Sequence, residues 1–584
     1  MKKIAVIGMS IECAGASSLS EFWNCICEGK NSINKTNKPF GCMSDSEVFD
    51  NNYFEISEKD SKSLDPQLKK TLENVAQAIR DAGYSIDKLQ KDTAIISSSN
   101  YSNHRKKTTL NTDIDFFNNR TLCDSDFIAS RTAFYLGFQG PAFAIQSACS
   151  SSLTSIDIAS MYLNQEKVNY VVVIGSSIVL PQESLGTKTT GSMYSETGNC
   201  LPFSSKSDGI VEGNAIAVVI LKRLDDAIND KDRIYSVIES ISTNSDGNRK
   251  DNFFAPSLSG QIELYNKHTK FLNLIVPNNI KNVYWETHGT GTRIGDYIEF
   301  EGIKDFVSNS VLSNKNIYLG HIKKNIGHTI YAAGLVGLIK TCLVLYNQII
   351  PIQSKQLEQD DLRDIENNLN TEVSIGIVSA FGIGGTNANV IISQHKSDCI
   401  HETINKASYN IKVSGKSKEY LNLELASLKF FIENNPVISI ENIECGLNRI
   451  FSPSEYLFEV TVTSKDELVS ILDSNIESIE RNELTHFKMQ IPNNKSFVGI
   501  QPIVFQHKNK TEKQTDENIK TIINDYFPEL SYGDALKLNI YQSGLTSLDF
   551  VLFLSDLENA LNKSFDMSSI NTETKIEELI GEPL

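Results

Sequence analysis

Cys149 stands where a short apolar run meets three serines, in FAIQSACSSSLTSIDIAS at residues 143–160. A cysteine there is either a small buried hydrophobe or a nucleophile aimed from a helix start. Unpaired amides and the positive end of a helix dipole would favour its thiolate. His288 directly follows an apolar run in WETHGTGTRIGDYIEFEG, at residues 285–302, and is trailed by glycines and threonines. Small residues beside a histidine leave room for a thin ligand, with the Thr290 and Thr292 hydroxyls to bind it. The glycine spacing is not that of a dinucleotide loop. His328 opens a long apolar segment in GHIKKNIGHTIYAAG, with Lys323 and Asn325 just before it. A histidine near a helix N-terminus stays neutral and can donate to an oxyanion; a satisfied core histidine is the other reading. In SAFGIGGTNANVII, Gly382, Gly384 and Gly385 either form a plain turn or let backbone N–H groups approach a ligand.

The elements around these loops alternate. KIAVIGM, TAIISSS, AFAIQSA, YVVVIGSS and AIAVVILKRL read as buried strands. DPQLKKTLENVAQAIRDAGY reads as an amphipathic helix with a glycine near its stop, and TIYAAGLVGLIKTCLVLYNQ as a helix buried on all sides. NVYWETHG, NIYLGHI and SIGIVSAFGIGG resume the strand pattern, so an α/β fold covered on both faces extends to about residue 395. From about 410 to 500 a weaker α+β pattern follows. The charged stretch at 507–518 reads as a linker, and the residues after it as a small helical bundle. The expected domains are residues 1–400, 401–506 and 507–584.

The chain of 584 residues has a net charge of −17, which argues against nucleic acid as a main partner. Residues 511–584 hold 14 Asp and Glu against 5 Lys and no Arg, a net of −9. That tail is either a solvated surface or a small acidic module that docks on basic surfaces. Ten cysteines without metal-ligand spacing suit a reducing compartment. The N-terminal apolar run is too short for a signal peptide, and no run reads as long enough for membrane insertion. A cytoplasmic protein is expected.

Taken together, ACSSSL, ETHGTGTRIGD, KKNIGH followed by GLVGLIK, and FGIGGTNAN resemble the β-ketoacyl synthases, most nearly the ketosynthases of modular polyketide synthases. The likeness covers residues 1 to about 395. It implies the thiolase fold, two similar α/β halves in five layers, and a homodimer. It also implies a catalytic set of Cys149, His288 and His328, with Lys323 as the site lysine. By the same resemblance the backbone N–H groups of Cys149 and Ile383 form an oxyanion hole, and Thr290 and Thr292 bind the pantetheine arm. The implied chemistry is acyl transfer to Cys149, then decarboxylative Claisen condensation with a malonyl-type extender. No metal or nucleotide is implied.

Residues 410 to about 500 resemble the linker domain that flanks such ketosynthases. The stretch YQSGLTSLDFVLFLSDLENALNKSF resembles an acyl carrier protein, a four-helix bundle carrying covalent 4'-phosphopantetheine at the position of Ser547. Thr546 replaces the carrier family's usual Asp. His321 stands where a small residue is common, and Asn389 where His is common. No acyltransferase elbow of the G-H-S-x-G type appears. The implied partners are therefore acyl- and malonyl-carrier proteins, a separate trans-acting acyltransferase and a phosphopantetheinyl transferase. Two other readings are a ketosynthase that only passes acyl groups along, and a non-catalytic chain-length or scaffold partner. His288 argues against the first and Cys149 against the second.

Overall fold

The computed structural model describes residues 2–476 apart from 36–38, 103, 105–115, 181, 183–192, 277–279, 359–360 and 397–405, together with residue 523. The chain divides into two compact units, Met1–Gln506 and His507–Leu584. The expected carrier bundle, with Thr546 and Ser547, lies outside the described residues, as do residues 477–506 of the expected flanking domain.

Ten strands frame the first unit. Those of its first half are β1 (Ile4–Cys13), β2 (Thr93–Ser99), β3 (Ala142–Ala144), β4 (Tyr170–Ser177) and β5 (Ala215–Arg223). Those of its second half are β6 (Ser236–Ser245), β7 (Asn282–Glu286), β8 (Asn316–Gly320), β9 (Ile375–Phe381) and β10 (Thr386–Ser393). Side by side, the first set runs β3-β2-β4-β5-β1 and the second β8-β7-β9-β10-β6. Each half thus places its third, second, fourth, fifth and first strands in the same order. Directions repeat as well: β2 is parallel to β3 and β4, as β7 is to β8 and β9. The fifth strand of each half is antiparallel to its neighbours. The antiparallel pair β1–β6 joins the halves into one mixed sheet, extended at one edge by the hairpin Lys355–Glu358 and Asp361–Asp364. Strands β2, β4 and β5 are buried almost throughout, which requires cover on both faces.

That cover comes from helices α1 (Pro66–Asp81), α2 (Ser151–Asn164), α3 (Leu258–Asn266), α4 (Arg293–Ser308) and α5 (Ala333–Asn347). Helix α1 packs outside β1 and β5; α3 packs outside β6 and β10, with α4 against it. Helices α2 and α5 touch each other and strands of both halves, so they lie between the two half-sheets. The result is five layers: helix, half-sheet, paired helices, half-sheet, helix. The start of α1 is set by Pro66 and by the Asp65 carboxylate, which accepts from the Gln67 amide.

The central layer tolerates little bulk. A Cβ on Gly334 of α5 would lie 2.8 Å from Leu153 Cβ and 3.0 Å from Ser152 Oγ of α2. Residues 330–347 are long and apolar enough to cross a bilayer, contrary to the sequence expectation that no run is. They are mostly buried, because apolar cover between two half-sheets obeys the same composition rule as a membrane span.

A smaller α+β layer follows. Strands β11 (Tyr409–Gly415) and β12 (Tyr456–Val462) pair antiparallel, and α6 (Lys418–Asn434), α7 (Ile440–Ile450) and α8 (Lys465–Asn475) share their core. Strand β11 alternates buried and half-buried residues, as a strand covered on one face must. Polar ties bind this layer to the sheets: Arg80 to Glu424 at 2.6 Å, and Tyr420 Oη donating to Asp50 at 2.7 Å.

Gly334→Val should therefore overpack the central layer at a cost of about 1–3 kcal/mol. The expected outcome is a lowered melting temperature by calorimetry; an unchanged one would contradict the α2–α5 packing.

Candidate active site

Strand β3 ends at Ala144, short of the AFAIQSA run read from sequence, and the chain then turns sharply into α2. Ala148 is left-handed, with φ +54°, a strained conformation for a residue with a Cβ. The serines hold that turn. The Ser147 amide donates to Ser151 Oγ at 2.7 Å, and Ser151 Oγ donates to the Ala148 carbonyl at 2.7 Å. Ser150 Oγ donates to the Ser147 carbonyl at 2.9 Å. Cys149 thus sits in a 3₁₀ turn, Ala148–Ser150, immediately ahead of α2.

The turn after β9 packs onto this elbow. A Cβ on Gly382 would stand 2.3 Å from the Ser147 carbonyl, so only glycine fits. Backbone N–H groups of Ile383 and of Cys149 itself favour the charged form of the Cys149 sulfur. Gly384 and Gly385 have φ +100° and +98°, which lets the chain turn directly after Ile383.

His288 leaves the end of β7, and His328 follows the single turn Lys323–Ile326. Their ring centroids are 5.5 Å apart, edge to face, and His288 also meets the Phe381 ring at 5.4 Å. The Nδ1 atoms of both rings are buried without a hydrogen-bond partner among the described residues. His328 is clamped in the backbone: its amide donates to the Val211 carbonyl at 2.6 Å, and its carbonyl accepts from Gly213 at 3.1 Å.

The charges are set mainly by burial. Burial pushes the Cys149 thiol up, while the Ile383 amide and the Lys323 ammonium draw it back down. Desolvation thus opposes the thiolate that a helix start favours. Burial drives both histidines well below the usual imidazole range, and Lys323 pushes each further down. Both rings are neutral at pH 7, as expected for His328, with desolvation as the leading cause. Burial also lowers Lys323, against the opposing pull of Glu286 and Glu299. One ammonium thus acts electrostatically on Cys149, His288 and His328 together.

Sequence reading missed the carboxylates that hold the His288 loop, although Asp296 and Glu299 lie within the quoted stretch. One turn apart on α4, they accept main-chain hydrogen bonds. Glu299 takes the His288 and Gly289 amides at 2.6 and 2.8 Å. Asp296 takes those of Thr290, Gly291 and Phe203, the last at 2.8 Å. Burial raises both, Asp296 to about 6. Glu286 fixes the other side, accepting the Ile322 amide at 2.7 Å and pairing with Lys340 at 2.9 Å. An acidic residue one helical turn into the helix after a glycine loop was the available signal. Thr290 and Thr292 come together, Oγ1 to Oγ1 at 3.0 Å. His321 is buried, and its ring centroid lies 6.4 Å from that of Phe203. The Asn389 side chain donates to Ser379 Oγ at 2.9 Å.

A cysteine at a strained elbow beside two neutral histidines on a doubled α/β frame defines a class of acyl-transferring condensing enzymes. The comparisons agree. The N-terminal domain model of β-ketoacyl synthase matches residues 1–227, and the C-terminal domain model matches residues 235–356. The chain belongs to the β-ketoacyl synthase family, and its ketosynthase region is an acyltransferase of the condensing type. Polyketide synthase PksN of Bacillus subtilis is 30% identical over 471 residues, 74% of this chain but 8% of the relative. A highly reducing polyketide synthase of Didymella fabae is 30% identical over 428 residues, 68% of this chain and 22% of its own length. The chain thus spans a small part of such relatives. Among solved structures, the ketosynthase from module 1 of the bacillaene synthase of Bacillus amyloliquefaciens superposes with a TM-score of 0.69 at 27% identity, covering 82% of this chain and 90% of that one. Ketosynthase twelve of a bacillaene polyketide synthase from that organism shares the fold, with a TM-score of 0.72 at 23% identity over 86% of this chain and 99% of that one.

Because the thiolate is the reactive form, alkylation of Cys149 by iodoacetamide should quicken as pH rises through its elevated thiol pKa. Lys323→Met removes the charge that lowers that pKa. Its rate profile, followed by peptide mass spectrometry, should move to higher pH.

Proposed function

We propose that this chain is a polyketide-type ketosynthase fused to its own acyl carrier, performing decarboxylative Claisen condensation. The observation that carries this reading is the His288–His328 ring pair, 5.5 Å apart, under the same Lys323 charge that acts on Cys149.

In the first stage the Cys149 sulfur attacks the carbonyl of an acyl thioester carried on pantetheine. The oxygen takes up negative charge between the two amides, donors already in place before reaction. The pantetheine thiol leaves, and Cys149 holds the acyl group. The Thr290 and Thr292 hydroxyls, 3.0 Å apart, would hydrogen-bond the pantetheine arm. In the second stage a malonyl-type thioester loses carbon dioxide. The electrons of the broken carbon–carbon bond pass into the thioester enolate. Neutral imidazoles at His288 and His328 can donate hydrogen bonds to the enolate oxygen, which charged carboxylates could not. The enolate carbon bonds to the acyl carbon on Cys149, and the Cys149 thiolate leaves. Lys323 favours that thiolate electrostatically.

The carrier assignment rests on sequence: Ser547 would bear 4'-phosphopantetheine, installed by a phosphopantetheinyl transferase. The thiol of that group carries the acyl and malonyl thioesters. A trans-acting acyltransferase would load the extender, and acyl- and malonyl-carrier proteins would exchange substrates with the site. The outer edge of β3 pairs with no strand among the described residues, which supports a homodimer built on that edge. The protein is read as cytoplasmic, without metal or nucleotide.

Intact-protein mass spectrometry on the pantetheinylated chain, given an acyl-thioester donor and malonyl on its carrier, tests the proposal. The expected carrier mass is the acyl group plus two carbons and an oxygen, and it should vanish in Cys149→Ala. Undiminished product in that variant would end the condensing reading. Pantetheine addition should be abolished in Ser547→Ala; a mass shift that survives would exclude Ser547 as the attachment site.

A further inference from the structure

Glu212 is a half-buried carboxylate that the proposed chemistry does not use. It forms a parallel bridge with His328: the amides of His328 and Gly213 bond across it on either side. Residues bridged in this way carry their side chains on the same face, so Glu212 shares the face of the His328 ring. Tyr194 Oη donates to its Oε1 at 2.7 Å. No lysine or arginine among the described residues pairs with it. Burial raises its pKa with only the Tyr194 bond opposing, and its charge in turn disfavours the Cys149 thiolate. A carboxylate near the nucleophile that opposes the thiolate is a cost to the chemistry, so its presence there calls for another use.

Resting on the acyl-transfer reading above, we propose that Glu212 is a specificity-determining residue, which accepts a hydrogen bond from a hydroxyl or ammonium group on the acyl chain entering Cys149. An unsubstituted alkyl chain would leave that carboxylate desolvated and without the donor, which is how a polar pocket rejects the analogue that lacks the group. Tyr194 holds one oxygen in place and so orients the other.

The test measures acylation of Cys149 by pantetheine thioesters, read by intact mass on the full chain. The probes are butyryl, 3-hydroxybutyryl and 3-aminobutyryl, with hexanoyl and 5-hydroxyhexanoyl to sample a second depth. The readout is the ratio of substituted to unsubstituted rates within each protein, which does not depend on the fraction folded. In the parent protein at least one pair should show a ratio of about ten or more. Glu212→Leu should bring that ratio to about one or below, and Glu212→Gln should leave it intermediate. The hydroxyl and amino arms tell the two donors apart. A ratio near one for every pair, or a preference surviving in Glu212→Leu, would overturn the proposal while acylation itself leaves the enzyme reading standing. Failure of every thioester to acylate Cys149 would overturn both.

Discussion

The close crossing of α2 and α5 is the constraint on which the site depends. The two helices lie between two half-sheets, and their approach leaves no room for side chains at Gly334 or for bulk at Gly175, which faces Ala332 and Ser152. Cys149 precedes one of these helices and His328 precedes the other, so the contact that closes the core also fixes nucleophile and imidazole together. Protein interiors transmit such fixation because they are packed at crystal-like density and deform little.

The repeated strand order explains the arrangement further. Equivalent connections in the two halves deliver Cys149 after the third strand of the first and His328 after the third strand of the second. The second strand of the second half delivers His288, and its fourth strand leads into Ile383. A doubled frame thus brings loops far apart in sequence to one place.

The electrostatics of the site are dominated by burial. Desolvation raises the thiol and the carboxylates and lowers the imidazoles and the lysine, so neutral forms are favoured generally. The exceptions are made by specific neighbours. Main-chain N–H groups favour the charged forms of Asp296, Glu299 and Cys149, and the carboxylates keep the Lys323 charge from being wholly suppressed. Glu212, with only a tyrosine hydroxyl, lacks such compensation.

The local chemistry was legible in the residues alone. A cysteine ahead of serines, a histidine before glycines and threonines, and a glycine turn after a strand each state what backbone they require. The almost wholly apolar run of α5 likewise announced burial. Helix α1 was legible as a helix, but its burial was not, since Lys70 and Glu73 pair with each other inside the fold at 2.9 Å. The partners of His288 and the direction of the Cys149 shift were decided only by tertiary structure. Hydrogen-bond acceptors, desolvation and electric fields depend on distances between residues hundreds of positions apart, and no local pattern encodes those distances. The bridge that places Glu212 on the face of His328 belongs to the same class: sequence supplied both side chains, and the fold decided that they share a face.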